Sequence, residues 1–104
     1  MDEFIIVLVT VSSLQEAEKI VTSLVNEKLA ACGNIIKGIT SIFMWKEKLC
    51  KDEEVLILLK SRRERFKELS QRVKELHSYE VPEIIAIPVV YGWRDYLDWI
   101  NRST

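Results

Sequence analysis

The stretch IIKGITSIFMWKEKLCKDEEVLILLK, residues 35–60, decides the fold. Two apolar runs, Ile35-Ile36 on to Ile42-Phe43-Met44-Trp45 and Val55-Leu56-Ile57-Leu58-Leu59, flank a charged connection, Lys46-Glu47-Lys48-Leu49-Cys50-Lys51-Asp52. Runs rich in β-branched and aromatic residues, joined by a short polar link, read as a β-hairpin. A strand with one solvated face alternates apolar and polar residues. Here both parities are apolar, which predicts that both sheet faces are buried. A chain of 104 residues has helices enough to cover one face. The other face then calls for a second copy, so self-association follows from the hairpin itself.

Working outward, Phe4-Ile5-Ile6-Val7-Leu8-Val9-Thr10-Val11 is a continuous apolar run of strand length, suited to the middle of a sheet. Ser13-Leu14-Gln15-Glu16 reads as a capping box, and Ala17, Ile20, Val21, Leu24 and Val25 follow at helical spacing. That helix is predicted to end near Lys28-Leu29. The small residues Ala30-Ala31-Cys32-Gly33-Asn34 suit close packing at the entry to the hairpin. Beyond it, Ser61-Arg62-Arg63-Glu64 reads as a second capping box, with Phe66, Leu69, Val73 and Leu76 as the second apolar stripe. Pro82 ends any helical continuation. Ile84-Ile85-Ala86-Ile87-Pro88-Val89-Val90 reads as a fourth strand, at an edge or ending at Pro88, which has no amide to donate. Gly92 is a break, and residues 95–100 read as a final helix with Tyr96, Trp99 and Ile100 on its apolar side. The order βαββαβ plus a C-terminal helix, with right-handed crossovers, is the ferredoxin-like α+β architecture. It leaves one sheet face bare.

Length and composition agree with a single domain over residues 1–104. A net charge of −1 excludes a broad electrostatic footprint for nucleic acid or an anionic membrane. The most basic stretch, Lys60-Ser61-Arg62-Arg63-Glu64-Arg65, is interrupted by Glu64 and reads as a solvated helix start. Met1-Asp2-Glu3 puts no basic region before an apolar run too short to span a bilayer, so a cytoplasmic location is expected. Cys32 and Cys50 are then expected as reduced thiols.

No catalytic motif emerges from spacing: the chain has no glycine-rich phosphate loop, no nucleophile elbow and no His-Glu-x-x-His pair. Two cysteines are too few for an iron–sulfur cluster. An RNA-recognition sheet needs exposed aromatics on its third strand, and Val55-Leu56-Ile57-Leu58-Leu59 has none. The single histidine stands in His77-Ser78-Tyr79-Glu80-Val81-Pro82-Glu83, between the second helix and the fourth strand. An imidazole, a phenol and two carboxylates in one loop suit a ligand or a metal. They equally suit a helix C-terminus favoured by a cation, with Tyr79 packed and the glutamates solvated. Cys32 is either a soft ligand or a small buried hydrophobe, and Cys50 is a residue of the charged turn.

Taken together, Leu29-Ala30-Ala31-Cys32, Trp45 at the hairpin tip, Leu59-Lys60, His77-Ser78-Tyr79-Glu80-Val81-Pro82-Glu83-Ile84 and Tyr96-Leu97-Asp98-Trp99-Ile100 resemble the divalent-cation-tolerance family, CutA. The resemblance covers essentially the whole chain. It implies a PII-like homotrimer of ferredoxin-like subunits whose long hairpins extend across neighbours, in the cytoplasm or an organelle. It further implies a role in tolerance to copper and other divalent metals, and no enzymatic reaction. Onto the implied cleft between subunits fall Cys32, Trp45, Lys60, His77, Tyr79 and Glu80. His77 is then the expected metal ligand, with Cys32 and Glu80 as secondary ligands. The alternative is a PII-like adaptor whose cleft takes a small anionic ligand or a partner's segment, through Lys60 and Tyr79; a purely structural trimer is the third reading. The chain departs from the family pattern at Ser78, commonly Pro, which implies a less rigid loop, and at Glu47, commonly Gly. Some members carry a cysteine where this chain has Val9 and a second histidine where it has Leu76, so that copper ligand set is depleted here.

Overall fold

The computed structural model describes residues 3–104; the first two residues, where the reading of the chain's start begins, lie outside it. Strand β1 (Phe4–Val11) is followed by helix α1 (Leu14–Asn26), strands β2 (Cys32–Trp45) and β3 (Lys48–Arg62), helix α2 (Phe66–Leu76), strand β4 (Ile84–Pro88) and helix α3 (Arg94–Ser103). A single 3-10 turn, Arg63–Arg65, joins β3 to α2. The four strands form one antiparallel sheet in the order β2-β3-β1-β4. This is the ferredoxin-like architecture expected from the sequence. Pro88 is both the last residue of β4 and on an edge strand, where a missing amide costs no ladder bond.

Strand β1 shows why the sheet has two distinct faces. Ile5, Val7, Val9 and Val11 are buried, and with Val55, Ile57 and Leu59 of β3 they form the core under the helices. Helix α1 contributes Ala17, Ile20 and Leu24, and α2 contributes Leu69 and Val73. Val25, expected in the first stripe, is instead exposed, because it lies off the arc that Ile20 and Leu24 turn to the sheet. Close packing at the hairpin entry is real: a Cβ on Gly33 would lie 2.8 Å from Val21 Cγ1. The opposite face carries Ile6, Leu8, Leu56 and Leu58, each half-buried. That face is not wholly bare, because α3 lies over its β2–β3 end. Ile100 is buried there, Arg62 Nε donates to Thr104 Oγ1 at 2.7 Å, and Arg65 Nε donates to the Thr104 carbonyl at 2.6 Å.

Two local readings are corrected by the structure. The hairpin link is not seven residues but two: Lys48 already pairs with Trp45, and Lys46 and Glu47 turn the chain with φ of 51° and 65°. Two consecutive left-handed residues make a type I′ turn, whose twist matches that of the strands it joins. Charge in residues 48–52 therefore marks a solvated strand rather than a loop. The second correction concerns Ser61, which caps nothing. It is a buried β3 residue whose hydroxyl donates to the Leu29 carbonyl at 2.6 Å, and α2 starts without a side-chain cap. At Ser13 half of the box forms: its Oγ accepts from the Glu16 amide at 3.1 Å, while the Glu16 carboxylate turns elsewhere.

Candidate functional site

The outer part of the hairpin faces the segment between α2 and β4. Between them lies an open cleft of about 730 Å³. The hairpin supplies Ser41, Ile42, Phe43 and Trp45 from β2 and Asp52 and Glu54 from β3; Thr10 comes from the end of β1. The loop supplies Ser78, Tyr79, Glu80, Val81 and Glu83. The lining holds four carboxylates and no lysine or arginine. Its apolar part, Ile42, Phe43, Trp45 and Val81, is the stretch of hairpin and loop that no helix covers.

His77 fixes the start of the loop. Its backbone amide closes α2 on the Val73 carbonyl at 2.8 Å. Its Nε2 lies 2.7 Å from the Thr10 carbonyl, which only accepts, so Nε2 carries the hydrogen. Nδ1 accepts from the Tyr79 amide at 3.0 Å. Both ring nitrogens are therefore engaged and the side chain is fully buried. Within one chain both nitrogens of His77 already have partners, so ligating a metal would require it to give one of them up.

From there Tyr79 reaches into the cleft. Its hydroxyl donates to Glu54 Oε2 at 2.6 Å, and its ring centroid lies 4.6 Å from that of His77. Burial, and then the hydrogen bond to Glu54, push the Tyr79 phenol well above its ordinary value, so it stays a donor. Glu54 is buried beneath it. Glu80 is exposed at the rim, and Lys74 Nζ donates to its carbonyl at 2.6 Å.

Behind the loop stands Glu16. Its Oε2 accepts from the Ser78 amide at 2.9 Å and its Oε1 from the Ser78 hydroxyl at 3.1 Å. Ser12 Oγ donates to Oε1 at 3.1 Å, and His77 Nδ1 lies 3.5 Å from Oε2. Burial alone would raise the Glu16 carboxyl, but the Ser78 amide and hydroxyl, Ser12 and His77 together hold it below the ordinary 4.5. Its contribution to folding is thus complete above that pH and is lost as pH falls through the lowered value. Ser78 gives Glu16 two donors that a proline there would lack. The loop expected to be less rigid is instead tied from outside.

The remaining expected residues divide. Trp45 lines the cleft, with Lys46 Nζ 5.8 Å from its ring centroid. Cys32 and Lys60 do not line it. They pair with each other across β2 and β3, and Lys60 pairs in turn with Ile6, whereas His77 bonds to Thr10. Four residues of strand separate the two places, about 13 Å at ~3.3 Å per residue. Cys32 Sγ lies 3.5 Å from Tyr96 Oη, and that contact, with burial, pushes the Tyr96 phenol up to about 12. Lys60 Nζ donates to Asn34 Oδ1. Val9 and Leu76 belong to the core and its margin. Among the described residues no three His, Cys, Asp or Glu side chains are grouped closely enough to hold one ion. His77, Cys32 and Glu80 are thus not brought together in a single chain.

Three residues of this region escaped the sequence reading as site residues: Glu16, Asp52 and Glu54. Glu16 looked fully used by its capping box. Asp52 looked like a turn charge and Glu54 was passed over between the charged connection and the strand; its burial and its bond from Tyr79 show where it goes.

Comparison with known proteins agrees with this architecture. Residues 5–103 match the profile of a family described as CutA1 divalent ion tolerance protein. The chain is 48% identical to the divalent-cation tolerance protein CutA of Thermus thermophilus, over 95% of this chain and 96% of that one. It is 42% identical to a chloroplastic CutA of Arabidopsis thaliana, over 96% of this chain but 55% of that longer protein. A solved structure of the Thermus thermophilus divalent cation tolerance protein superposes with a TM-score of 0.95 at 46% identity, covering 97% of this chain and 98% of that one. Family profile, a relative of nearly equal length and a fold shared end to end lead to one conclusion: this chain belongs to the CutA1 family of divalent ion tolerance proteins.

Proposed function

We propose that the chain acts as a PII-like homotrimer that binds divalent cations, copper among them, weakly in the acidic cleft, and that this binding underlies metal tolerance in the cytoplasm. The observation that carries the reading is the cleft lining, which contains Asp52, Glu54, Glu80 and Glu83 and no lysine or arginine; Lys74 touches it from outside, at the Glu80 backbone carbonyl. Carboxylate oxygens suit divalent cations held loosely with part of their water. Of the ligands first expected, Glu80 is the one in the cleft lining, and in this reading His77 supports the loop. The same lining disfavours the small-anion alternative, since Lys60 lies on another part of the sheet.

Assembly is supported by what the subunit leaves uncovered. Ile42, Met44 and Leu49 on the hairpin, Ile85 and Ile87 on β4, and Val90, Tyr91 and Trp93 after it are all exposed. Apolar surface on this scale marks an interaction face. Among the described residues β4 also has no strand on its outer side, an edge open to pairing. A neighbouring subunit would bring further donors to the cleft, which a single chain needs. The free thiols of Cys32 and Cys50 suit a reducing compartment.

Native mass spectrometry with added copper(II), beside Glu80→Gln and His77→Ala, tests the reading. The expected result is a trimer that takes up copper in threes, with uptake reduced in Glu80→Gln. A monomer, or adducts indifferent to the Glu80 change, would overturn it.

A further inference from the structure

The cleft wall formed by residues 77–83 belongs to no helix or strand, so something outside the loop must hold it in place. The described hydrogen bonds trace that support in order. The Ser78 amide and hydroxyl both go to the Glu16 carboxylate. The next amide, of Tyr79, goes to His77 Nδ1, and His77 is oriented by the Thr10 carbonyl. The Tyr79 hydroxyl then ends on Glu54, inside the cleft. The loop is strung between two carboxylates, Glu54 within the cleft and Glu16 behind it, in the first turn of α1 and absent from the lining, with Lys74 Nζ of α2 as a further tie on the Glu80 carbonyl at 2.6 Å. Glu54 meets only the tip of a side chain. Glu16 meets backbone, and it does so at the residue where the chain leaves α2.

We propose that Glu16 is the positioning residue of the cleft: by holding Ser78 from behind, it sets where Tyr79 and Glu80 stand across the opening. The inference rests on the cleft as the cation site. It gives Glu16 a role beyond its helix, whose cap at Ser13 forms through the Glu16 amide and leaves the carboxylate free for the loop. The Ser78 donors meet an ionised acceptor, so they are stronger than neutral hydrogen bonds of the same length.

The test compares Glu16→Ala, Glu16→Gln and Ser13→Ala by amide hydrogen exchange and by copper(II) uptake. In Glu16→Ala the Ser78 amide is expected to exchange about tenfold faster or more, since its charge-assisted bond is lost, and the Tyr79 amide, bonded to His77, is expected to follow as the loop loosens. Copper uptake is expected to weaken several-fold while the assembly stays intact. Glu16→Gln keeps one acceptor oxygen and lies between. Ser13→Ala removes the helix cap without touching the loop, so its exchange at Ser78 and Tyr79 stays near wild type. The proposal is overturned if Glu16→Ala leaves those two amides unchanged, if Ser13→Ala accelerates them as much, or if the variant binds copper as well as a wild type that itself binds. A wild type that takes up no copper sinks the cation reading instead, and the exchange comparison still decides whether Glu16 holds the loop.

Discussion

The two halves of the β2–β3 hairpin are built from the same kinds of residue and meet opposite fates. Near the body of the subunit, Val55, Ile57 and Leu59 are sealed under α1 and α2, with Ile57 and Leu59 0% exposed. Towards the tip, Ile42 and Met44 are 66% exposed and Leu49 74%. No helix reaches that far. An apolar run on both strand parities therefore reports the final surroundings of a strand, whichever chain supplies them. Fully burying a large aliphatic side chain is worth roughly 1.5–3 kcal/mol. Several such residues left bare are a driving force for association that the subunit cannot use on its own.

Truncation on either side of this divide has the largest expected effect. Leu59→Ala removes a fully buried side chain and should lower stability by about 2–5 kcal/mol, at any protein concentration. Ile42→Ala should change the subunit's own stability by no more than about 0.5 kcal/mol. Its effect should grow with protein concentration, because what it weakens is assembly. Denaturant unfolding of both variants at two concentrations separates the cases. Equal, concentration-independent losses would abolish the distinction between the halves.

The sequence carried the fold because every element had its own periodicity: two-sided apolar runs for β1 and β3, and 3.6-residue stripes for α1 and α2. The site was less legible. Glu80, Tyr79 and Trp45 do line the cleft, and the loop was recognised as the place for chemistry. Whether a side chain in that loop is available, however, depends on partners that are remote in sequence. His77 is closed off by Thr10, 67 residues away, and Ser78 is held by Glu16, 62 residues away. No local pattern encodes those pairings.

The two serines that open apparent capping boxes give the next contrast. Ser61→Ala deletes the buried donor to the Leu29 carbonyl and leaves that acceptor unpaired, at a cost of about 1–3 kcal/mol. Ser13→Ala removes a solvent-exposed cap worth about 1 kcal/mol. Read as caps alone, the two would cost the same. Thermal melting of the pair resolves it, and a Ser61 variant no weaker than the Ser13 variant would count against the buried bond.

At the tip the expected effect is smallest and its sign reverses. Glu47 holds φ of 65°, next to Lys46 at 51°, and a residue with a Cβ is strained there. Glycine tolerates that geometry but loses more freedom on folding. Glu47→Gly should therefore stabilise the chain slightly, by about 0.5 kcal/mol, since type I′ turns favour glycine at the second position. Gly38, in the β2 irregularity at φ 72° with open space around it, sets the opposite case, and Gly38→Ala should destabilise through backbone strain alone. Melting temperatures of the two variants check both signs. If Glu47→Gly failed to stabilise while Gly38→Ala behaved as expected, the Glu47 side chain would have to be making a favourable contact that the single chain does not contain. The boundary between the sealed and bare halves would then extend to the turn itself, and the tip would belong to the interface.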